Sequence, residues 1–293
     1  RTRGADLSAL KDAVDGGGDY HDLEQLLFHD LDDEALQTEV LAHFASEAAT
    51  SSSSAELKVM SDIDDTLYRN WCDERYPPKA IYPGVLALHR ELDLGLDGTG
   101  RPGDITFLTA RPGDRPGLVE NQTLLTLGEL GVPRCVVLTG SLGNITSNEA
   151  IAEGKLAAFG RYRRLYPERQ FVFTGDSGQG DAIVAARMMA DHADVMRGVF
   201  IHDVVHTPEA GRAEWAARRV PLFDTYLGAA VHAHSLSLIS PAGLQRIARA
   251  ALTELSALTF ATDAMRDARR AELQRDLALA NALLPEGSRV GGD

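Results

Sequence analysis

The chain has 293 residues, 44% of them apolar, and only two cysteines, Cys72 and Cys135. This is ample for a globular core and gives no disulfide framework, and no apolar run approaches the roughly 18 to 20 residues of a membrane span. A formal net charge of −14 argues against nucleic acid as the main ligand. The acid is unevenly spread: residues 1–55 hold twelve acidic side chains and three basic ones, Arg1, Arg3 and Lys11. The remainder is mildly acidic and still able to receive an anion. The cysteine usage favours a reducing, cytoplasmic compartment, with both residues read as structural thiols. The chain starts at Arg1 without Met, which is compatible with a leader cut away. The sequons at Asn121 and Asn144 occur at chance frequency and carry no argument.

In chain order, residues 1–54 read as an acidic helical N-terminal extension. DLSALKDAV precedes the breaker Gly16-Gly17-Gly18. A second stretch then repeats Leu23, Leu26, Leu27, Leu31, Leu36, Val40, Leu41 and Phe44 at near-helical spacing. His21, His29 and His43 lie near that face without metal-ligand spacing, so they read as core or surface histidines. Ser51 to Ser54 reads as a linker. From residue 55 to 240, short apolar runs alternate with helical patterns: 57–62, 104–110, 134–140, 170–176 and 197–203. Strands apolar throughout predict a sheet covered on both faces, and the intervening helices predict that it is parallel, a three-layer Rossmann-like α/β fold. The runs end in Asp62, Thr109, Thr139, Asp176 and His202, side chains that would collect where open α/β sheets bind ligands. Residues 241–293 read as a C-terminal helical extension whose last helix is largely exposed, with a frayed EGSRVGGD end. Its balanced charge does not support a basic amphipathic membrane anchor.

The chemistry is concentrated in ELKVMSDIDDT (56–66), where an apolar run delivers Asp62 and Asp64 onto a turn closed by Thr66. Two carboxylates this close repel unless a cation lies between them, so the spacing asks for a metal. Taken alone, the string also suits an acidic surface turn. Thr109, in FLTARPGD, puts a hydroxyl at a strand end suited to a phosphoryl oxygen, and Arg111 follows within reach of a substrate. Lys155, read as opening the helix before the fourth strand, can neutralise a carboxylate and a phosphate together. Gly175-Asp176-Ser177-Gly178-Gln179-Gly180-Asp181 reads as a metal-holding loop, with Asp62, Asp64 and Asp176 as the class of ligand that Mg²⁺ prefers. GDSG also surrounds the nucleophile of trypsin-like proteases, but here it ends a buried strand of an alternating α/β chain, so a nucleophilic Ser177 is set aside.

Strand-DxDxT, strand-Thr, Lys, strand-GDxxxxD is the four-motif order of the haloacid dehalogenase superfamily, which the chain resembles from about 57 to 203. Within that superfamily, SDIDDT, the segment from Lys155 to GDS and the trailing FDTYLGAA…A…LIS look like the phosphatidate phosphatase family named after the fungal actin-patch phosphatase. That resemblance covers roughly 57–240. Lipins are more distant, carrying Gly where this chain has Asp65. The resemblance implies a haloacid-dehalogenase-type sheet and an active Mg²⁺-dependent phosphatidate phosphatase. In that scheme Asp62 forms an aspartyl-phosphate, and Asp64 protonates the leaving oxygen and then activates water. Thr109 and Lys155 bind the phosphoryl group, with Thr66 and Arg111 as further phosphate-binding positions. Asp62, the Asp64 backbone carbonyl and Asp176 hold the metal, and Asp181 supports the loop or Lys155. A soluble-metabolite or protein phosphatase on the same scaffold, or a non-catalytic phospholipid-sensing module, remains open.

Little chain separates Thr66 from Thr109, so any cap is small and drawn from residues 68–82, an arrangement suited to a bulky or membrane-presented substrate and hence to peripheral membrane contact. Trp71, Tyr76 and Tyr82 are candidates for its aromatic rim, or for packing against the core. His202 and His206 are near a strand's carboxyl end, within reach of a substrate, and read first as structural; His232 and His234 fall on different faces of one helix and receive no metal role. The acidic N-terminal helices fit poorly with unaided binding to an anionic membrane and are expected to fold away from the site or to recruit a protein partner.

Overall fold

A computed structural model describes residues 2–15, 22–50, 56–100, 105–112, 118–132, 135–140 and 147–291. Six parallel strands form one sheet in the order β3-β2-β1-β4-β5-β6. They are β1 (Leu57–Ser61), β2 (Ile105–Pro112), β3 (Cys135–Gly140), β4 (Gln170–Asp176), β5 (Met196–His202) and β6 (Leu222–Phe223). The five expected strands are all present. The two-residue β6 was not expected, because a run that short carries no periodicity to read.

Helices cover both faces, which is why the strands are apolar at consecutive positions. Val59, Phe107, Val137, Val172 and Phe200 point to one core; Met60, Leu108, Val136, Phe173 and Val199 point to the other. The first core is closed by α4 (Val85–Leu94), α5 (Leu118–Glu129), α9 (Tyr226–Ser235), α10 (Pro241–Ala257) and α11 (Asp263–Leu283). The second is closed by α6 (Asn148–Leu165) and α7 (Asp181–Asp191). The remaining described α-helices are α1 (Gly4–Asp15), α2 (Leu23–Gln25), α3 (Glu34–Thr50) and α8 (Glu209–Ala217). From β1 the chain steps outward through β2 to β3 with helices on the first face, then returns to β4 beside β1 with helices on the second. With right-handed crossovers, reversing direction changes face, so the switch point falls between β1 and β4.

The N-terminal segment shares the second core through Leu7, Leu27, Leu41 and Phe44. It docks by α1 against the C-terminal end of α6 and the start of β4: Lys11 donates to the carbonyl of Leu165 at 2.8 Å, and Arg169 pairs with Asp12 at 2.9 Å. This is the amino end of the sheet. The expected long second helix is interrupted: α2 runs into a π-helical turn, Leu26–Asp30, and the chain is extended at Leu31 before α3 begins. Gly16-Gly17-Gly18, His21, Ser51 to Ser54 and Asn144 lie outside the described residues. His29 pairs with Glu24 at 3.4 Å, and His43 contacts the carbonyl of Thr2 at 2.9 Å.

At the other terminus α11 is not simply exposed; Leu273, Leu277 and Ala280 are buried because they pack on α9 and α10. The end beyond it is tied back rather than frayed as far as Gly291: Asn281 exchanges two hydrogen bonds with the backbone of Val290, at 2.9 and 2.8 Å, and Val290 is buried. Among the described residues no helix is long and apolar enough to cross a membrane.

Candidate active site

Asp62 is the first residue past β1, and its N–H still donates to Thr174 of β4 at 2.9 Å, so its direction is set by the sheet. Asp176 is the last residue of β4, and Asp181 is the first of α7. Oxygens of Asp62, Asp176 and Asp181 lie within 4.8 Å of one another, all three residues buried. Two glycines permit this crowding. A Cβ on Gly175 would sit 2.6 Å from Asp181 Oδ2, and one on Gly180 would sit 2.5 Å from the carbonyl of Asn148. Asp181 can therefore lean over the end of β4, and the start of α7 can meet the start of α6.

Lys155 joins the cluster from α6, its Nζ donating to Asp62 Oδ1 at 2.6 Å and to Asp181 Oδ1 at 2.5 Å. It does not open that helix as the sequence led us to expect. Ser147 caps α6 by accepting from Ala150 N–H, so the helix begins at Asn148, seven residues earlier, and a later turn faces the strand ends. Asp176 Oδ1 accepts from Gly178 N–H at 2.7 Å, whereas its Oδ2 is buried with no hydrogen-bond partner.

One ammonium among three buried carboxylates leaves negative charge uncompensated. Burial pushes Asp62 up to about 7, opposed by Lys155 and reinforced by Asp181. Asp176 is held well above the carboxylate range, first by burial and then by Asp181 and Asp62. Lys155 is kept charged beyond its ordinary range because the two carboxylates outweigh its burial. A divalent cation would relieve this imbalance, and the unpartnered Asp176 oxygen is a ready ligand for it.

Asp64 sits one turn further on. Its Oδ1 accepts from Asn70 Nδ2 at 2.7 Å and from Tyr68 OH at 3.3 Å. Its carboxylate is not part of the group formed by Asp62, Asp176 and Asp181. Asp65 adopts φ +57, a left-handed conformation that Asp tolerates better than most residues. Its carboxylate accepts the N–H groups of Asn70, Trp71 and Cys72 at 2.8, 2.9 and 2.6 Å. The chain from 67 to 82 returns on itself, with Arg69 N–H on Ala80, Lys79 N–H on Arg69 and Tyr82 N–H on Leu67. This flap meets the loop between Asp176 and Asp181 at Cys72, since a Cβ on Gly178 would lie 3.0 Å from the Cys72 side chain.

Thr109 is buried on β2, two residues beyond Phe107, the register partner of Ser61, and so at the same end of the sheet as Asp62. Thr66 is fully buried, its hydroxyl without a partner, while Tyr226 OH donates to its carbonyl. Arg111 lies on β2 with its side chain outside the described part of the structure. Ser177 Oγ donates to Asp203 at 2.9 Å and accepts from Val204 N–H at 3.0 Å, a structural tie between β4 and β5. Of the candidate rim, Tyr76 and Tyr82 are buried and only Trp71 is solvent-facing, 71% exposed. His202 is buried against Tyr82 and Tyr226, 3.4 Å from Arg75. His206 adopts φ +56. Burial pushes the Cys72 and Cys135 thiols up to about 11 and about 12, which fits structural roles.

Sequence reasoning missed Asp65, Asn70 and Tyr226 as supports of this site. Asp65 was legible only as an acidic neighbour of Asp64. Nothing local marks Asn70, and Tyr226 arrives from a helix 160 positions beyond its Thr66 partner. Comparison with protein-family models, with curated proteins and with solved structures returned no match.

Proposed function

We propose that the chain is a Mg²⁺-dependent phosphomonoesterase of the haloacid dehalogenase type with a minimal cap, Asp62 its nucleophile and phosphatidate or a related lipid phosphate its substrate. The observation that carries this reading is the Lys155 ammonium bridging Asp62 and Asp181 beside the unpartnered oxygen of Asp176. A surface acidic turn has no reason to bury three carboxylates around one cation; a phosphoryl-transfer site does. The residues fit the metal. Asp62 and Asp176 would hold Mg²⁺, with Asp181 beside them and the Asp64 carbonyl added by the family resemblance. Bound there, Mg²⁺ would offset the charge of the phosphoryl oxygens.

In the proposed reaction an Asp62 carboxylate oxygen bonds to phosphorus as the ester P–O bond breaks. Asp64 gives its proton to the leaving oxygen. Asp64 then takes a proton from water as that water's oxygen attacks phosphorus and the acyl-phosphate P–O bond breaks, regenerating Asp62 and releasing phosphate. Lys155 keeps Asp62 oriented and partly compensated throughout. Thr109, at the same rim of the sheet, would contact a phosphoryl oxygen in this scheme. The lipid preference rests on the family resemblance and on the flap, which is small and carries an exposed Trp71 next to Cys72 at the metal-binding loop.

The test is phosphate release from phosphatidate in detergent micelles, compared with sugar phosphates and p-nitrophenyl phosphate, with and without Mg²⁺. Release should require Mg²⁺, favour phosphatidate and vanish in Asp62→Asn. Independently of turnover, Mg²⁺ should raise the melting temperature of the unmodified protein but not of Asp176→Asn. Preference for sugar phosphates would transfer the reading to a soluble-metabolite phosphatase, and lipid binding without any release would make this a non-catalytic module.

A further inference from the structure

Asp64 is held by a short relay that starts outside the catalytic group. Lys79 donates to Asn70 Oδ1, and Asn70 Nδ2 donates to Asp64 Oδ1 at 2.7 Å. The Lys79 ammonium also lies over the Tyr68 ring, 5.1 Å from its centroid, and Tyr68 OH reaches the same Asp64 oxygen at 3.3 Å. An amide can face a carboxylate through its NH₂ or its carbonyl. A cation on the carbonyl side decides which, because only then does the NH₂ turn toward Asp64. The backbone that carries Asn70 is fixed separately, by Asp65 accepting the N–H groups of residues 70 to 72. Lys79 itself adopts φ +61, where the flap turns back toward Asn70.

We infer that Asn70, oriented by Lys79, is the positioning residue for Asp64: its amide holds the Asp64 carboxyl group in the place from which the leaving oxygen is protonated. The inference rests on the proposed reaction and concerns one step of it, the proton moved to the leaving oxygen as the ester bond breaks. Asn70 touches neither phosphorus nor the nucleophile.

The step has a distinguishing signature. An alkoxide leaving group needs its proton during bond cleavage, whereas p-nitrophenolate, a stable anion near neutral pH, leaves without one. kcat/KM covers events up to departure of the leaving group, so it isolates this step from later hydrolysis of the acyl phosphate. Asn70→Ala should lower kcat/KM for phosphatidate or glycerol phosphate by about 30-fold or more, a part of the roughly 10²- to 10⁴-fold that general acid catalysis contributes, and for p-nitrophenyl phosphate by no more than about threefold. Asn70→Asp keeps the shape and the contact with Lys79 but has no NH₂ to donate, so it should resemble Asn70→Ala. Lys79→Met leaves Asn70 in place and should show the same selectivity at reduced size.

Neither Asn70 substitution removes the backbone bonds to Asp65, and circular dichroism with the melting temperature will show whether the flap's host protein is intact. Equal losses on both leaving groups, no loss on either, or wild-type rates in Asn70→Asp would overturn the positioning role while leaving the phosphatase reading standing. An unmodified protein that releases phosphate from neither substrate class would overturn that reading, and this inference with it.

Discussion

The two ends of the sheet both bury charge, and they balance it differently. At the amino end Asp15 is fully satisfied: Oδ1 accepts from Leu23 N–H at 3.0 Å, and Oδ2 accepts from Tyr162 and Tyr166 hydroxyls at 2.8 and 2.6 Å. Lys11 pairs with Glu168 at 2.6 Å and lies over the Phe44 and Tyr166 rings. At the carboxyl end Asp62, Asp176 and Asp181 share one lysine, and an oxygen of Asp176 has no partner. Burial of a charge is tolerated when its hydrogen bonds are complete, and a buried charge left short of partners carries a cost that a bound cation can relieve. At the amino end Asp12 Oδ1 and Arg169 Nε are also buried without partners, but there each acid has its own cation or hydroxyls; what sets the strand ends apart is that three buried carboxylates share one lysine.

The largest effect that would sharpen this contrast is expected from Lys155→Met. Without its ammonium the three carboxylates face one another unpaired, so stability without metal should fall by about 3 to 5 kcal/mol, and phosphate release should be lost. Added Mg²⁺ should recover part of that stability, measured as the urea midpoint with and without the ion. If the midpoint is unchanged by the substitution, the carboxyl end is not under electrostatic tension.

At the amino end, Asp15→Asn should cost about 1 to 3 kcal/mol by weakening bonds to two tyrosines and a backbone N–H. Here the loss should be the same with or without Mg²⁺, and kcat/KM should stay within about twofold of the parent. A Mg²⁺-dependent loss would mean that the two ends are coupled through α6, erasing the distinction.

The smallest effect is a pH response of opposite sign in two places. His89 is buried on α4 against Thr174 Oγ1 at 3.0 Å, and burial pushes it down to about 4, below the roughly 6.5 of an unfolded chain. Between those values the unfolded state binds more protons, so stability falls as pH drops from about 6.5 toward 4, by at most about 1.4 kcal/mol per pH unit. His29 on the N-terminal segment is raised by its hydrogen bond to Glu24, so its contribution is present at acid pH and fades as pH rises through its raised value. His29 is partly exposed though Glu24 is buried, and the pair is worth no more than about 1 kcal/mol. The raised carboxyls of Asp62 and Asp176 act in the opposite sense over the same range and His202 in the same sense as His89, so the expectation is read from a comparison: between pH 7 and pH 5 the urea midpoint of His89→Gln should shift less toward lower values than that of the parent, and an identical pH dependence in the two proteins would remove His89 from the account.

Much of the architecture was legible because the strands are apolar at consecutive positions, which only a sheet covered on both faces requires. Asp62, Asp176 and Lys155 could be singled out because the two acids stand at strand ends and the lysine precedes the fourth strand, and the structure brings the three side chains together. The helical position of Lys155 was not legible, since a lysine gives no sign of where its helix begins; Ser147 three residues before Ala150 was the available cue. Tyr76 and Tyr82 could be read equally as rim or core, because an aromatic residue in a loop has no period to reveal its direction.

By itself the sequence determined a parallel, two-sided sheet and the residue types gathered at its carboxyl edge, since periodicity and the chemistry of single side chains are local properties. Tertiary structure decided that Asp181 joins Asp62 and Asp176, that Asn70 and Tyr68 hold Asp64, and that the acidic N-terminal helices dock at the far end. Those outcomes depend on the close approach allowed at Gly175 and Gly180, on the flap pinned by Asp65 and on the reversal of strand order beside β1. Each is a contact between distant parts of the chain, and no local pattern encodes it.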